Sequence, residues 1–319
     1  MKKLVIMLVL IISTVFYSSA LAVVPMADNL KLTFVGDILL ARHPGYIMRD
    51  TGNINYPFQF VTDELSKADI TFGNMEGAFT GNVVTGNVSS GKGRWFCFRS
   101  PASFAPALKN AGFDIVTLAN NHSMNGGKQG IVDTVNTLDK LKIRHVGAGV
   151  NKAQANKCEI IDYKGWKVGF LGRASIGTEG GAGVNSPGIG VLNKEIFDAV
   201  KDCQTKAEIV VATFHWGNEN QTVPTAIQKD YAHRLIDAGV DIVIGHHPHV
   251  LQPIEIYKGK TIAYSLGNFV FDNPKKSWKT TMILTIEIDC EYNQHVTKIP
   301  VEIQKFQPRI MDKPVVVLK

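Results

Sequence analysis

The chain has 319 residues, 45% hydrophobic and 19% charged, with a formal net charge of +6 and a mean hydropathy of +0.03. This balance is that of a globular protein, and the length suffices for one large α/β domain. The excess of positive charge is mild and diffuse, with no long Lys/Arg run. It therefore gives no case for nucleic acid and suits an anionic substrate or an anionic envelope.

Met1-Lys2-Lys3 precedes an apolar run from Leu4 to Tyr17, and Ser18-Ser19-Ala20-Leu21-Ala22 then offers an Ala-x-Ala cleavage site. Residues 1–22 read as a secretory signal, with residues 23–319 as a single domain. The rival reading is an uncleaved anchor, because the apolar run nearly reaches spanning length. Cleavage would remove Lys2 and Lys3 and no acid, lowering +6 to +4. The protein is then expected to be exported to a periplasm, cell envelope or extracellular space. It would touch a membrane only through an uncleaved N-terminal segment.

Strand-like and helix-like segments alternate from there. Leu32 to Val35 reads as a strand ending at Gly36-Asp37, and Pro57 to Lys67 as a helix. Asp69 to Phe72 reads as a strand ending at Gly73-Asn74-Met75-Glu76. A polar insertion over 81–94 has the composition of a mobile loop. Pro101 to Ala111 reads as a helix, and Phe113 to Leu118 as a strand ending at Asn120-Asn121-His122. Gly127 to Leu141 carries a helical stripe of Ile131, Val135, Leu138 and Leu141. Glu159–Asp162 and Lys167–Leu171 form a predicted hairpin around Tyr163-Lys164-Gly165. After a glycine-rich loop from Gly177 to Gly190, Lys194 to Lys206 is helical and Ile209 to Phe214 is a strand ending at His215. Pro224 to Ala238 reads as a helix with proline in its first turn. Val240 to Ile244 is the next strand, ending at Gly245-His246-His247-Pro248-His249. A second hairpin (Glu255–Tyr257 with Thr261–Ser265), Gly267-Asn268 and two alternating strands (Met282–Ile288 and Val296–Ile303) complete the chain.

Cys97, Cys158, Cys203 and Cys290 are far apart and form no CxxC, so they are not a zinc site. Export permits disulfides. Three pairings are open, and four free buried thiols fit equally well.

One regularity carries chemistry. Asp37, Asn74 with Glu76, Asn121 with His122, His215, and His247 with His249 each follow a predicted strand. In α/β sheets the carboxyl ends of strands form the crevice where ligands bind, so these residues are expected to converge. Pro248 is expected to keep the backbone extended, so that His247 and His249 point the same way. A mixed oxygen and nitrogen shell suits one or two divalent ions of Mn, Zn or Fe. Each residue also has a plainer reading. Asp37 could be a helix cap, Glu76 a solvated acid, His215 a core imidazole and Asn120-Asn121 turn residues.

Seven motifs stand in a known order: Val35-Gly36-Asp37 with Arg42, Gly73-Asn74-Met75-Glu76-Gly77, Phe98-Arg99-Ser100-Pro101, Leu118-Ala119-Asn120-Asn121-His122, His215-Trp216-Gly217-Asn218-Glu219, Gly245 to His249, and Tyr264 to Phe269. From Lys31 to Asp272 the chain resembles the bacterial capsule-synthesis CapA family, associated with poly-γ-glutamate capsules. That family looks like a branch of the calcineurin-like metallophosphoesterases. The resemblance implies an α/β (α+β) fold, a four-layer α/β/β/α sandwich with metals at its strand ends. It implies Asp37 as the first metal aspartate and Asn74 or Glu76 in the place of the bridging acid. Asn121, His215, His247 and His249 would be further ligands, with His246 in a supporting role. His122 would stabilise the leaving group, by donating a proton, or the transition state. Arg42 or Arg99 would offset developing negative charge, although Arg99 could equally be a structural ion-pair partner. Trp216 reads as packing rather than as a stacking platform.

Three departures bear on the chemistry. A metal histidine of the wider superfamily is Leu39 here, and its bridging aspartate is Asn74. An aspartate common in the nearer family is Asn125, so a site with one metal or none stays open. The expected function is an exported metal-dependent hydrolase of the phosphoesterase type. The alternative is a non-catalytic envelope component that binds an anionic polymer and assists its synthesis or export. The expected partners are an anionic polymer or phosphoester and other capsule-synthesis proteins, not nucleic acid.

Overall fold

The computed structural model describes residues 29–81, 97–272, 278–312 and 315–318. The leader over 1–22 and all but Gly81 of the insertion over 81–94 lie outside the described residues.

Side-chain alternation along the strands builds two sheets with three apolar layers between and around them. Leu30, Leu32 and Phe34 of strand Asn29–Ile38 face Val168, Phe170, Val211, Ile242 and Ile244 of a second sheet, all of them buried. The opposite parity of the same strands points outward, as period-two geometry requires. On one side, Val35 packs against Met48, Leu108, Ile131, Val135 and Leu138 from helical segments, and Ile38 joins it because the strand's register slips between Phe34 and Ile38. On the other, Leu171, Val210, Ala212 and Val243 pack against Val200, Cys203, Ala232 and Leu235 from helices Ile196–Gln204 and Ala226–Asp237. The result is the four-layer helix/sheet/sheet/helix arrangement that the resemblance implies.

In the first sheet, Asn29–Ile38 is central. It is parallel to Ile70–Met75, which is followed by Ile115–Thr117 and Arg144–Val146, and it is antiparallel to Thr280–Asp289. In the second sheet, Trp166–Ala174, Ile209–His215, Ile242–His246 and Lys260–Ala263 run parallel. Asp37 is in register with Asn74 and with Asn268, and His215 with His246. The polar residues thus gather at the carboxyl ends of both sheets.

Two glycines permit this crowding. A Cβ on Gly36 would stand 2.0 Å from the Gly267 carbonyl oxygen, and one on Gly245 would stand 1.9 Å from that of Tyr264.

Several elements differ from the sequence reading. Asn29–Ile38 continues through Gly36-Asp37, so Asp37 is a strand residue and not a helix cap. Pro57–Lys67 and Pro101–Ala111 each break into a 3-10 turn and a short helix. Pro224 lies before the helix, which Thr225 caps by a reciprocal bond pair with Gln228. A helix over Arg42–Thr51 has no sequence counterpart, since it buries only Pro44, Gly45 and Met48.

Cys158 and Cys203 form a disulfide, with Cα atoms 5.5 Å apart, while Cys97 and Cys290 are free and exposed. This replaces the reading of four buried thiols. Gly169 makes room for the bridge, because a Cβ there would lie 2.4 Å from the Cys203 sulfur. Among the described residues no helix is long and apolar enough to cross a membrane.

Candidate functional site

The site starts from two buried carboxylates. Asp37 and Glu76 are both fully buried. Asp37 Oδ1 accepts from Asn74 Nδ2 at 2.8 Å and lies 3.2 Å from His246 Nδ1. Asp37 Oδ2 lies 3.3 Å from His249 Nδ1 but has no hydrogen bond. Neither oxygen of Glu76 has one either. Its Oε1 stands 3.8 Å from both His249 Nε2 and His122 Nε2. A ligand atom from each of Asp37, Glu76 and His249 falls within 4.8 Å of the others. Burying a carboxylate without donors costs several kcal/mol, on the order of the effective ion-desolvation penalty. A divalent cation among these atoms would satisfy them, so the donor set fits a metal ion.

The histidines arrive by an unexpected path. Strand Ile242–His246 ends before them, and His247 and His249 take left-handed backbones at φ 97° and 59° rather than extended ones. Such conformations cost about 1–3 kcal/mol each and persist only when their surroundings impose them. Here Trp216 N–H donates to the His246 carbonyl at 3.1 Å and Asn220 N–H to that of Pro248 at 2.9 Å. The two rings end 5.9 Å apart, and the His247 ring lies 4.8 Å from that of His215. His215 Nε2 meets Asn121 Oδ1 at 2.9 Å, which brings Asn121 into the cluster.

Amide orientations follow from backbone anchors. Asn120 Nδ2 donates to the Met75 carbonyl at 2.9 Å, and Asn120 Oδ1 accepts from His122 N–H at 3.1 Å. Its Nδ2 also donates to Asn74 Oδ1 at 3.1 Å, so Asn74 must present its amide nitrogen to Asp37. As placed, Asn74 braces Asp37 and keeps its oxygen for Asn120. Both neighbours of His249 Nδ1, Asp37 Oδ2 and Asn268 Oδ1 (2.9 Å), are oxygens. Nδ1 therefore carries a proton, and Nε2 is the atom that could ligate a metal ion once its own proton leaves.

Similar reasoning fixes His122. Asn125 Oδ1 accepts from Phe98 N–H at 2.7 Å and faces His122 Nδ1 at 3.1 Å. Nδ1 is the donor, and neutral His122 turns a lone pair on Nε2 toward Glu76. In this state it offers an acceptor and not the proton expected from the sequence. Its ring stacks on Phe98 at 3.8 Å.

Electrostatics reinforce the division. Burial drives the Asp37 carboxyl up, but the imidazoles of His246 and His249 set against its two oxygens outweigh it and hold Asp37 well below its ordinary value. Burial, with the charges of Asp37 and Glu219, holds Glu76 well above its own against the pull of His249. Burial lowers His122 to about 4. Burial and then His249 lower His247 to about 3. Burial and then His247 hold His215 well below its ordinary value. For His249 burial acts downward, but Glu76 and Asp37 override it and raise the imidazole to about 9. His122, His215 and His247 are thus neutral imidazoles, as metal binding needs, whereas His249 and Glu76 hold protons that a metal ion would displace.

The cations divide. Arg42 Nε pairs with Asp272 at 2.9 Å, and its guanidinium lies 5.6 Å over Phe98. Arg99 sits on a two-residue strand paired with Ala78–Phe79. Leu39 is fully buried in an apolar cluster with Phe98, Phe271 and Trp278. Trp216 is buried, stacks on Phe214 and donates to the Tyr264 carbonyl at 3.0 Å, a packing role. Asn120 and Asn268 are site residues that sequence reasoning left as turn or motif positions. Their common signal is, again, a place just after a strand or at its start.

The model of the family described as "Bacterial capsule synthesis protein PGA_cap" matches residues 31–273. The chain is 31% identical over 311 residues to the "Capsule biosynthesis protein CapA" of Bacillus anthracis, covering 94% of this chain and 75% of that protein. It is 35% identical over 260 residues to the "PGA biosynthesis protein CapA" of Bacillus subtilis (strain 168), covering 80% of this chain and 66% of that protein, just under two thirds. It is 32% identical over 190 residues to a "Probable polyglutamine synthesis accessory protein" of Mycobacterium tuberculosis, covering 55% of this chain and 50% of that protein.

Proposed function

The chain belongs to the bacterial capsule synthesis protein PGA_cap family, and from that premise we propose that it serves capsule or poly-γ-glutamate biosynthesis as a metal-dependent hydrolase of the phosphoesterase type. The observation that carries this reading is Glu76. A fully buried carboxylate with no hydrogen bond, beside Asp37 and His249, is a group in need of a cation.

A bound divalent ion would supply a Lewis acid and a water acidified toward neutrality. Asp37, Glu76 and His249 would hold it, with His215, His247 and Asn121 beside them. Asn74 and His246 keep Asp37 in place, and Asn268 fixes the His249 tautomer. His122 presents its Nε2 lone pair to the same space, where it can take a proton from an attacking water. Phe98 and Trp278, stacked on His122 and His249, exclude solvent. Arg42, one ring away from His122 across Phe98, adds positive charge beside the site.

We place the protein outside the cytoplasm. Support comes from the leader-like residues 1–22 and from the Cys158–Cys203 bridge, which fits an oxidising compartment.

A second reading is a binding component without turnover, assisting polymer synthesis or export. Leu39 and Asn74 favour it, because apolar and neutral side chains stand where the resemblance implies two further ligands. The two readings separate by measuring bound metal together with hydrolysis of a generic phosphodiester and of poly-γ-glutamate, with His247→Ala alongside. Turnover lost in the variant supports the hydrolase. Metal without turnover supports the second reading, and absence of metal from the wild type sinks the first.

A further inference from the structure

Beside the proposed metal site lies a cavity of about 550 Å³. Its inner wall is the outer face of the centre. Trp278 lines the cavity and stacks on His249 at 4.5 Å, and Phe271 lines it and lies 4.9 Å from the same ring. Arg42 lines it too, and it rests on Phe98, which stacks on His122. A group in the cavity is therefore one aromatic ring away from the site residues.

The lining is cationic. Among the described residues that line it, Arg42, Lys279 and Lys305 face one acid, Asp272, which is buried and already engaged by Arg42 and by His43 Nδ1 at 3.0 Å. Lys279 and Lys305 are exposed. Positive charge in excess at the mouth of an open cleft attracts anions. The volume lies within the range of roughly 300–1,000 Å³ typical of ligand pockets, well above what one carboxylate or phosphate fills.

We propose that this cavity binds the neighbouring anionic group of an extended substrate, a chain carrying repeated carboxylates or phosphates, whose reacting bond lies at the metal centre. The assignment rests on the reading of that centre given above. Lys279 and Lys305 select for the second negative charge, while Trp278 and Phe306 flank the linking segment. A substrate with one anionic group would leave the cavity's cations unanswered.

The test is equilibrium binding of three probes to the wild type and to a Lys279→Gln/Lys305→Gln double variant. The probes are a γ-linked glutamate oligomer, a linear phosphate oligomer and a neutral glutamine oligomer. Both substitutions are at exposed positions, and metal content and circular dichroism confirm that fold and centre are intact. The proposal expects at least one anionic oligomer to bind the wild type, and to bind the double variant about tenfold more weakly with a smaller salt dependence. It expects no binding of the neutral oligomer. The tighter anion identifies the chemistry of the chain. Equal affinity of wild type and double variant, binding of the neutral oligomer as tight as that of the anions, or no binding of either anion overturns it. Charge-dependent binding in a wild type that holds no metal upholds the cavity and removes the reading of the centre.

Discussion

Asn74 and Asp37 face each other in register across two parallel strands, and the Asn74 amide donates to Asp37 Oδ1 at 2.8 Å. The direction of that bond is fixed from outside the pair, by Asn120 and the Met75 carbonyl. A neutral donor thus stands where a second carboxylate would repel Asp37 in the absence of metal.

Asn74→Asp is expected to reverse that balance. The metal-free protein loses a buried bond to a charged group and gains a like charge, a destabilisation of about 1–3 kcal/mol or more. Metal affinity rises at the same time. Urea unfolding with a chelator and calorimetric metal titration check both signs. Unchanged stability without metal would contradict the bracing role.

The metal-free protein should lose stability as pH rises above about 6.5. The raised value of His249, about 9, gives a contribution fully present below about 6.5 and lost as pH climbs through 9. Glu76, also raised, acts in the same sense, because the folded chain holds its proton longer than the unfolded chain does. Depressed Asp37 acts oppositely, its contribution disappearing as pH falls below the ordinary carboxylate range, and so do depressed His122, His215 and His247, whose contributions are lost as pH falls from about 6.5 toward 4. Melting temperatures with chelator should therefore peak on the acid side of neutrality. The gain on adding metal should grow between pH 6 and 8, roughly as the displaced protons demand.

Asn125→Asp is expected to give His122 a charge. A carboxylate against Nδ1 favours the imidazolium, raising the value from about 4 toward the ordinary imidazole range. NMR titration of the ring in the metal-free variant reads this directly. A ring that still titrates near 4 would contradict the assigned contact.

Reduction, or Cys158→Ser, should cost about 2–4 kcal/mol, the usual effect of opening a loop of this size (sequence separation 45). Denaturant midpoints with and without reductant measure it. Identical midpoints would argue against the pairing.

The layers of the fold were legible because Leu30, Leu32 and Phe34, or Val210 and Ala212 against Ile209 and Val211, alternate cleanly between two apolar environments. The gathering of Asp37, Glu76, His215 and His249 was legible from strand ends alone. The backbone at His247 was not. Local preference before Pro248 is extended, but bonds from Trp216 and Asn220 impose a left-handed turn. The tautomers of His122 and His249 and the direction of Asn74 were equally hidden, since each depends on partners far away in sequence. The Arg42–Thr51 helix escaped because it has too few buried apolar positions to make a stripe.

If Glu76 is buried to hold a metal, removing its charge should empty the site. Elemental analysis of the wild type and of Glu76→Gln, purified together without chelator, tests it most directly. About one divalent ion per wild-type chain is expected, with near-complete loss in the variant, which stays folded because glutamine is neutral and of the same shape. A wild type without metal, or a Glu76→Gln protein that keeps it, would contradict the account.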